Sequence, residues 1–91
     1  MKKTTVRRDL SQLIPPEMID EHDRGVLTAD FPEAGLDTGD VGTVVHIYDE
    51  HRAYEVEFVT LHGETVAVIT VEADQLRPVR KQEITHARSL A

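Results

Sequence analysis

From Gly39 to Thr60 the chain carries two arms rich in β-branched and aromatic residues, Gly39 to Tyr48 and Ala53 to Thr60, separated by the polar run Asp49-Glu50-His51-Arg52. This pattern predicts a β-hairpin. With Glu50 and His51 at its tip, antiparallel pairing sets Ile47 opposite Tyr54, Val45 opposite Val56 and Thr43 opposite Phe58 on one side, which is the expected core face. The other side pairs Tyr48 with Ala53, His46 with Glu55 and Val44 with Glu57, a mostly polar set suited to water. A slip of one residue would bury Glu55 and Glu57 without partners, so the burial penalty selects the register.

A second hairpin follows through Leu61-His62-Gly63-Glu64 into the run Thr65 to Val71. A two-residue tip at His62-Gly63 pairs Phe58 with Ala67, Val56 with Ile69 and Tyr54 with Val71, all on the core face already assigned. The two hairpins therefore agree on which side of the middle strand is buried. Before them, Asp23 to Ala29 reads as a first strand and Asp30 to Thr38, with Pro32 and Gly35, as a long loop. Gly42 inside the second strand predicts a bulge or a close backbone approach. After them, Glu72 to Gln75 reads as a 3₁₀ turn and Leu76 to Val79 as a last strand, confined to a sheet edge by Pro78.

The expected fold is mainly β: a small five-stranded SH3-like barrel over residues 20–79, between tails 1–19 and 80–91 that are flexible or partly helical. Val6, Leu10 and Leu13 lie at helical spacing before Pro15-Pro16, and Ile84, Ala87 and Leu90 form a weaker helical stripe near the other end.

Ninety-one residues suit a single small domain, and with two Phe, two Tyr and no Trp its core must be built from Val, Ile and Leu. The absence of cysteine excludes disulfides, thiolate zinc sites and Cys nucleophiles. No apolar run approaches a membrane span and the N-terminus lacks the apolar region of a signal peptide, so the expected location is cytoplasmic. The net charge of −7 is uneven. Residues 15–79 hold three arginines against fifteen carboxylates, a net −12, while residues 1–14 carry +3 and residues 80–91 carry +2. Such a body repels phosphate backbones, and it either favours a basic protein surface as partner or merely keeps a small protein soluble.

Candidate chemistry is sparse. The five histidines, His22, His46, His51, His62 and His86, show no His-x-His or His-x3-His spacing and read as solvated turn residues, so no metal or cofactor is expected. Glu55 and Glu57 share one strand face without a pocket to shift either pKa. Gly39-x-x-Gly42 lacks the helix and lysine of a phosphate loop, and the only serines, Ser11 and Ser89, lie in the tails. One group stands out. The expected register places Val59 opposite Val66, Val68 beside Glu57 and Val44 close by, on the outer face that also carries His46 and Tyr48. Exposed valines in a contiguous group call for a cover, either the Val6-Leu10-Leu13 stripe, the Ile84-Ala87-Leu90 stripe or another chain, unless they are a harmless scatter of surface valines or a bulge breaks the parity that places them together.

The block Leu36-Asp37-Thr38-Gly39-Asp40-Val41-Gly42-Thr43-Val44-Val45, followed by Tyr54-Glu55-Val56-Glu57-Phe58 and Gln75-Leu76-Arg77-Pro78-Val79, resembles a small bacterial family of domains of unknown function. It is also similar to the Gly-x-Val hairpin of KOW-type and other SH3-like barrels. The first resemblance spans roughly Asp20 to Val79 and implies a fold, with an association to toxin-antitoxin or accessory roles. The second implies RNA or ribosome binding, from which this acidic barrel departs. The resulting expectation is a non-enzymatic protein-interaction module, monomeric or weakly self-associating, whose partner is a protein with a basic or apolar surface and neither nucleic acid nor membrane. The alternatives are a KOW-like RNA- or ribosome-binding domain working through the basic tails, and a small metal-dependent accessory domain.

Overall fold

A computed structural model describes residues 19–90. The helical stripe at Val6, Leu10 and Leu13 lies outside the described residues. Among the described residues five strands, β1 (Arg24–Leu27), β2 (Val41–Tyr48), β3 (Ala53–Val59), β4 (Thr65–Glu72) and β5 (Leu76–Pro78), form one antiparallel sheet in the order β4-β3-β2-β1-β5. Two 3₁₀ turns punctuate it, Pro32–Ala34 in the long loop and Ala73–Gln75 between β4 and β5. The fold is mainly β, as the alternation demands.

The last connection shapes the sheet. β4 and β5 are its two edges, and a flat sheet of five strands would hold them about 19 Å apart at the usual inter-strand spacing. Three residues in a 3₁₀ turn advance only about 6 Å. The sheet must therefore coil until its edges approach at that end, which is consistent with a small barrel-like fold. The turn is held by a reciprocal cap in which Glu72 N–H donates to Gln75 Oε1 at 2.8 Å and the Glu72 side chain accepts from the Gln75 N–H.

β3 divides inside from outside. Tyr54, Val56 and Phe58 are buried, and Glu55 and Glu57 lie on the opposite face. The three apolar side chains pack with Val44, Val71, Leu27, Leu36, Leu76 and Ile19. Each large side chain taken out of water contributes about 1.5–3 kcal/mol, enough to hold the pleat in this parity. Ile19, just before Asp20, is fully buried and belongs to this core. The β3–β4 pairs Tyr54–Val71, Val56–Ile69 and Phe58–Ala67 are those read from the sequence.

Two bulges correct the expected registers. In β2 the pairs Tyr48–Ala53, Ile47–Tyr54 and His46–Glu55 hold, but the register then shifts at Val45, and Val44 pairs with Val56 while Thr43 pairs with Glu57. Val44 is thereby a core residue at 0% exposure, whereas Val45, assigned to the core by strict alternation, is 41% exposed. The reason lies at Gly42. A β-carbon there would stand 2.6 Å from Val56 Cγ1 and 2.8 Å from Phe58 Cε2, so only glycine fits against these two core side chains of β3. Strict alternation would instead turn Thr43 and its hydroxyl inward against Phe58. The bulge is also supported from β1's side, where His22 N–H donates to the Val44 carbonyl and Val44 N–H donates to the Asp23 carbonyl at 2.9 Å.

The second bulge falls between Phe58 and Val59. Val59 faces Thr65 and not Val66. The turn is a three-residue loop, Leu61-His62-Gly63, closed by Thr60 N–H to the Glu64 carbonyl at 2.8 Å, in place of the two-residue tip. Its tightest position is Gly63, whose φ of +91° an L side chain adopts only under strain.

Beyond β5 the chain turns at residues 81 and 82 and then runs without helix through residue 90. The helical spacing of Ile84, Ala87 and Leu90 is not used. Isolated helices of this length are marginal in water, and here side-chain anchors on the body decide the path.

Candidate functional site

The outer face of β2, β3 and β4 is built of cross-strand rows. His46, Glu55 and Thr70 form one row, and Thr43, Glu57 and Val68 the next. Glu55 Oε1 accepts from the Tyr48 hydroxyl at 3.1 Å and from Thr70 Oγ1 at 2.6 Å. The hydrogen bond that the phenol donates to this carboxylate holds its proton and raises the Tyr48 pKa above its ordinary value, with like-charge repulsion from Glu55 adding least. Glu57 Oε2 accepts from Thr65 Oγ1 at 2.8 Å. His46 meets the Tyr48 ring edge-on with centroids 4.5 Å apart. Although it pairs with Glu55 in register, its Nδ1 approaches Glu21 at 3.9 Å, and Glu55 is taken up by its two hydroxyl donors.

Off the end of the sheet that carries Val41 and Val59 lies a groove of about 500 Å³ between the sheet and the returning C-terminal segment, reaching in as far as the core residue Phe58. Val41, Phe58, Val59 and Val66 form its sheet wall, while Ile84 and Leu90 lie on the segment side. Two arginines anchor that segment. Arg77 in β5 donates twice to Glu83, at 3.0 and 2.6 Å, and the Arg80 N–H donates to Glu83 Oε1 at 2.7 Å. The Arg77 hydrogen bonds, with that backbone N–H in second place, hold the Glu83 carboxyl down at about 2. Further along, Arg88 Nε donates to Asp40 Oδ1 at 2.8 Å and Nη2 donates to Asp40 Oδ2. Nη2 also donates to the Gly35 carbonyl at 3.1 Å, and Nη1 lies 3.5 Å from Asp37. The Arg88 hydrogen bonds keep the Asp40 carboxyl below the usual carboxylate range.

The loop receiving Arg88 is organised by bonds of its own. Asp37 N–H donates to Asp40 Oδ2 at 2.8 Å, and Thr38 donates to Asp30 Oδ1 through both its N–H and its hydroxyl. The two Thr38 bonds lower the Asp30 pKa, with the backbone donor first. The loop thus presents two carboxylates and a carbonyl from fixed positions.

The six residues singled out from the sequence do not form one surface. Val59 and Val66 border the groove, Val66 half-buried and Val59 51% exposed. Val68, 49% exposed, lies beside Glu57 between the groove and the polar rows. His46 and Tyr48 lie at the far end by the first hairpin tip. Val44 does not belong to the site at all, since the β2 bulge turns it into the core. Its place outside is taken by Val41 and Val45, both exposed. Alternation alone had no means to find them, because the bulge inverts parity midway along β2.

The clasp of Arg88 by Asp37 and Asp40 was also missed. Arg88 and Asp40 are 48 positions apart, and the only sequence signal was the basic end facing an acidic body. Among the described residues, no three His, Asp or Glu side chains converge as a metal-ligand set, and no helix is long and apolar enough to cross a membrane.

Sheet order, coiled edges and a single buried face define a small, mainly β domain whose outer face combines carboxylates with exposed valines. Comparison with known families is more particular: residues 21–78 fit the family described as Domain of unknown function (DUF4926), and the chain belongs to that family. No curated protein and no solved structure matches it.

Proposed function

We propose that the chain is a non-enzymatic protein-interaction module that receives a partner with a basic or apolar surface on the outer face of β2, β3 and β4. The observation that carries this reading is the adjacency of Val41, Val59 and Val68, each 44% exposed or more, to Glu55 and Glu57 on one sheet face. Apolar area of this kind gains free energy when covered, and flanking carboxylates select cationic neighbours. The surplus of carboxylates over residues 15–79 adds a long-range field of the same sign.

In this reading the strand order is that of an SH3-like barrel, and an antitoxin-like or accessory-subunit role in a bacterial cytoplasm fits a small acidic binder. An RNA-binding role through the basic tails is less well supported, because Arg88 is engaged with Asp40 on the chain's own body.

Affinity capture from the source cells tests the proposal, comparing wild type with the double variant Val59→Glu, Val68→Glu. A stoichiometric protein that is recovered with wild type and lost with the variant supports it. Recovery of nucleic acid alone, with binding that collapses as salt is raised, overturns it.

A further inference from the structure

The C-terminal segment crosses a groove that it does not fill. Ile84 is 91% exposed and Leu90 is half exposed, so the two side chains that would seat an apolar peptide stand largely in solvent. Space of about 500 Å³ is left against Val41, Phe58 and Val66. The same segment's arginine is fully engaged. Arg88 meets both oxygens of Asp40, the Gly35 carbonyl and, more distantly, Asp37. Beyond the Arg77–Glu83 anchor, attachment is therefore concentrated in one guanidinium contact beside an apolar groove with room to spare.

That arrangement defines what fits. Two carboxylates and a carbonyl converging on one position match the forked donors of a guanidinium and not the point charge of an ammonium. A non-helical chain fits, because the segment that reaches the clasp runs without helix from residue 83 to residue 90. Aliphatic side chains flanking the arginine would enter the groove that Ile84 and Leu90 leave open.

We propose that the groove and the Gly35-Asp37-Asp40 clasp form a recognition site for a non-helical segment of a partner protein carrying an arginine flanked by aliphatic residues, and that residues 84–90 hold this site in cis until displaced. The inference rests on the interaction-module reading and gives it a ligand chemistry. Charge complementarity supports this occupant: the clasp is anionic, the surrounding body carries a net −12 over residues 15–79, and the segment already seated there is cationic. Displacement follows population arithmetic, since a cis segment that occupies the site nine-tenths of the time weakens an incoming ligand roughly tenfold.

The test uses the full chain and a fluorescein-labelled synthetic peptide with the sequence of residues 82–91, followed by anisotropy. Arg88→Ala in the chain should raise peptide affinity roughly tenfold or more by vacating the clasp. Adding Asp40→Asn should remove that gain, and so should Asp37→Asn in part. The side-chain amide introduced by Asp40→Asn still offers an oxygen to the Asp37 N–H, which keeps the loop intact. A peptide with lysine in place of its arginine should bind more weakly to R88A than the parent does. Equal peptide affinity for wild type, R88A and R88A/D40N, with circular dichroism showing all three folded, would overturn the proposal. So would a concentration-dependent dimer of wild type lost in both R88A and D40N, which would make a second copy the occupant. If D40N leaves the clasp peptide unbound yet native partner capture intact, the clasp assignment falls and the interaction module stands.

Discussion

Arg88 Nε donates to Asp40 Oδ1 at 2.8 Å, joining the C-terminal segment to the loop before β2 across 48 residues of sequence. Together with Arg77 and Glu83 it determines where the segment runs, in a stretch whose own apolar spacing favours nothing stable.

Removing that bond should free the segment without unfolding the body. The Arg88 and Asp40 side chains keep 32% and 18% exposure, so solvent screening leaves the pair a small contribution to the stability of the body. Arg88→Ala is expected to leave the thermal midpoint nearly unchanged while trypsin cleavage after Arg80 and Lys81 accelerates several-fold. Unchanged cleavage kinetics would show that the segment is held by something else.

Acid should release the same segment ahead of the body. Glu83 is lowered from an ordinary 4.5 to about 2, chiefly by Arg77, and Asp40 is lowered by Arg88. Both carboxyls are depressed in the folded chain, so their contribution is complete above the ordinary carboxylate range and is lost as pH falls through the bound values. The window is therefore about pH 4.5 down to about 2. An NMR titration should show the amides of residues 82–90 moving to coil positions in that window before those of β3. Simultaneous movement of both sets would contradict it.

The β2 bulge makes neighbouring valines opposite in kind. Val44→Asp places an unpaired charge in the core and is expected to abolish folding at 25 °C. Val45→Asp changes an exposed position and should stay within about 0.5 kcal/mol of wild type. Urea melts of the two variants decide the matter, and a reversed ranking would restore strict alternation.

Gly42→Ala tests the close approach directly. Its methyl would sit 2.6 Å from Val56 Cγ1 and 2.9 Å from the Glu57 carbonyl, which is backbone and cannot swing aside. A loss of about 1–3 kcal/mol is expected from overpacking, against the small gain that Gly to Ala gives where space allows. A stability equal to wild type in denaturant melts would mean that β2 and β3 can separate without cost.

Much of the architecture was written locally. Tyr54, Val56 and Phe58 alternate with Glu55 and Glu57, and burying either carboxylate costs more than any competing register returns, so the buried side of β3 and its pairing with β4 from Tyr54–Val71 to Phe58–Ala67 follow from order alone, though the bulge at Val59 does not. The edge position of β5 follows equally from Pro78, and the 3₁₀ turn from the polar residues before Leu76. The tertiary structure decided what depends on distance through space. Whether Val44 or Val45 enters the core turns on how closely Gly42 meets Val56 and Phe58, a contact between strands that no period within one strand encodes. The path of residues 84–90 turns on Asp40 standing where Arg88 can reach it, and a charge pair 48 residues apart leaves no trace in local pattern because its partners meet only after the sheet has coiled.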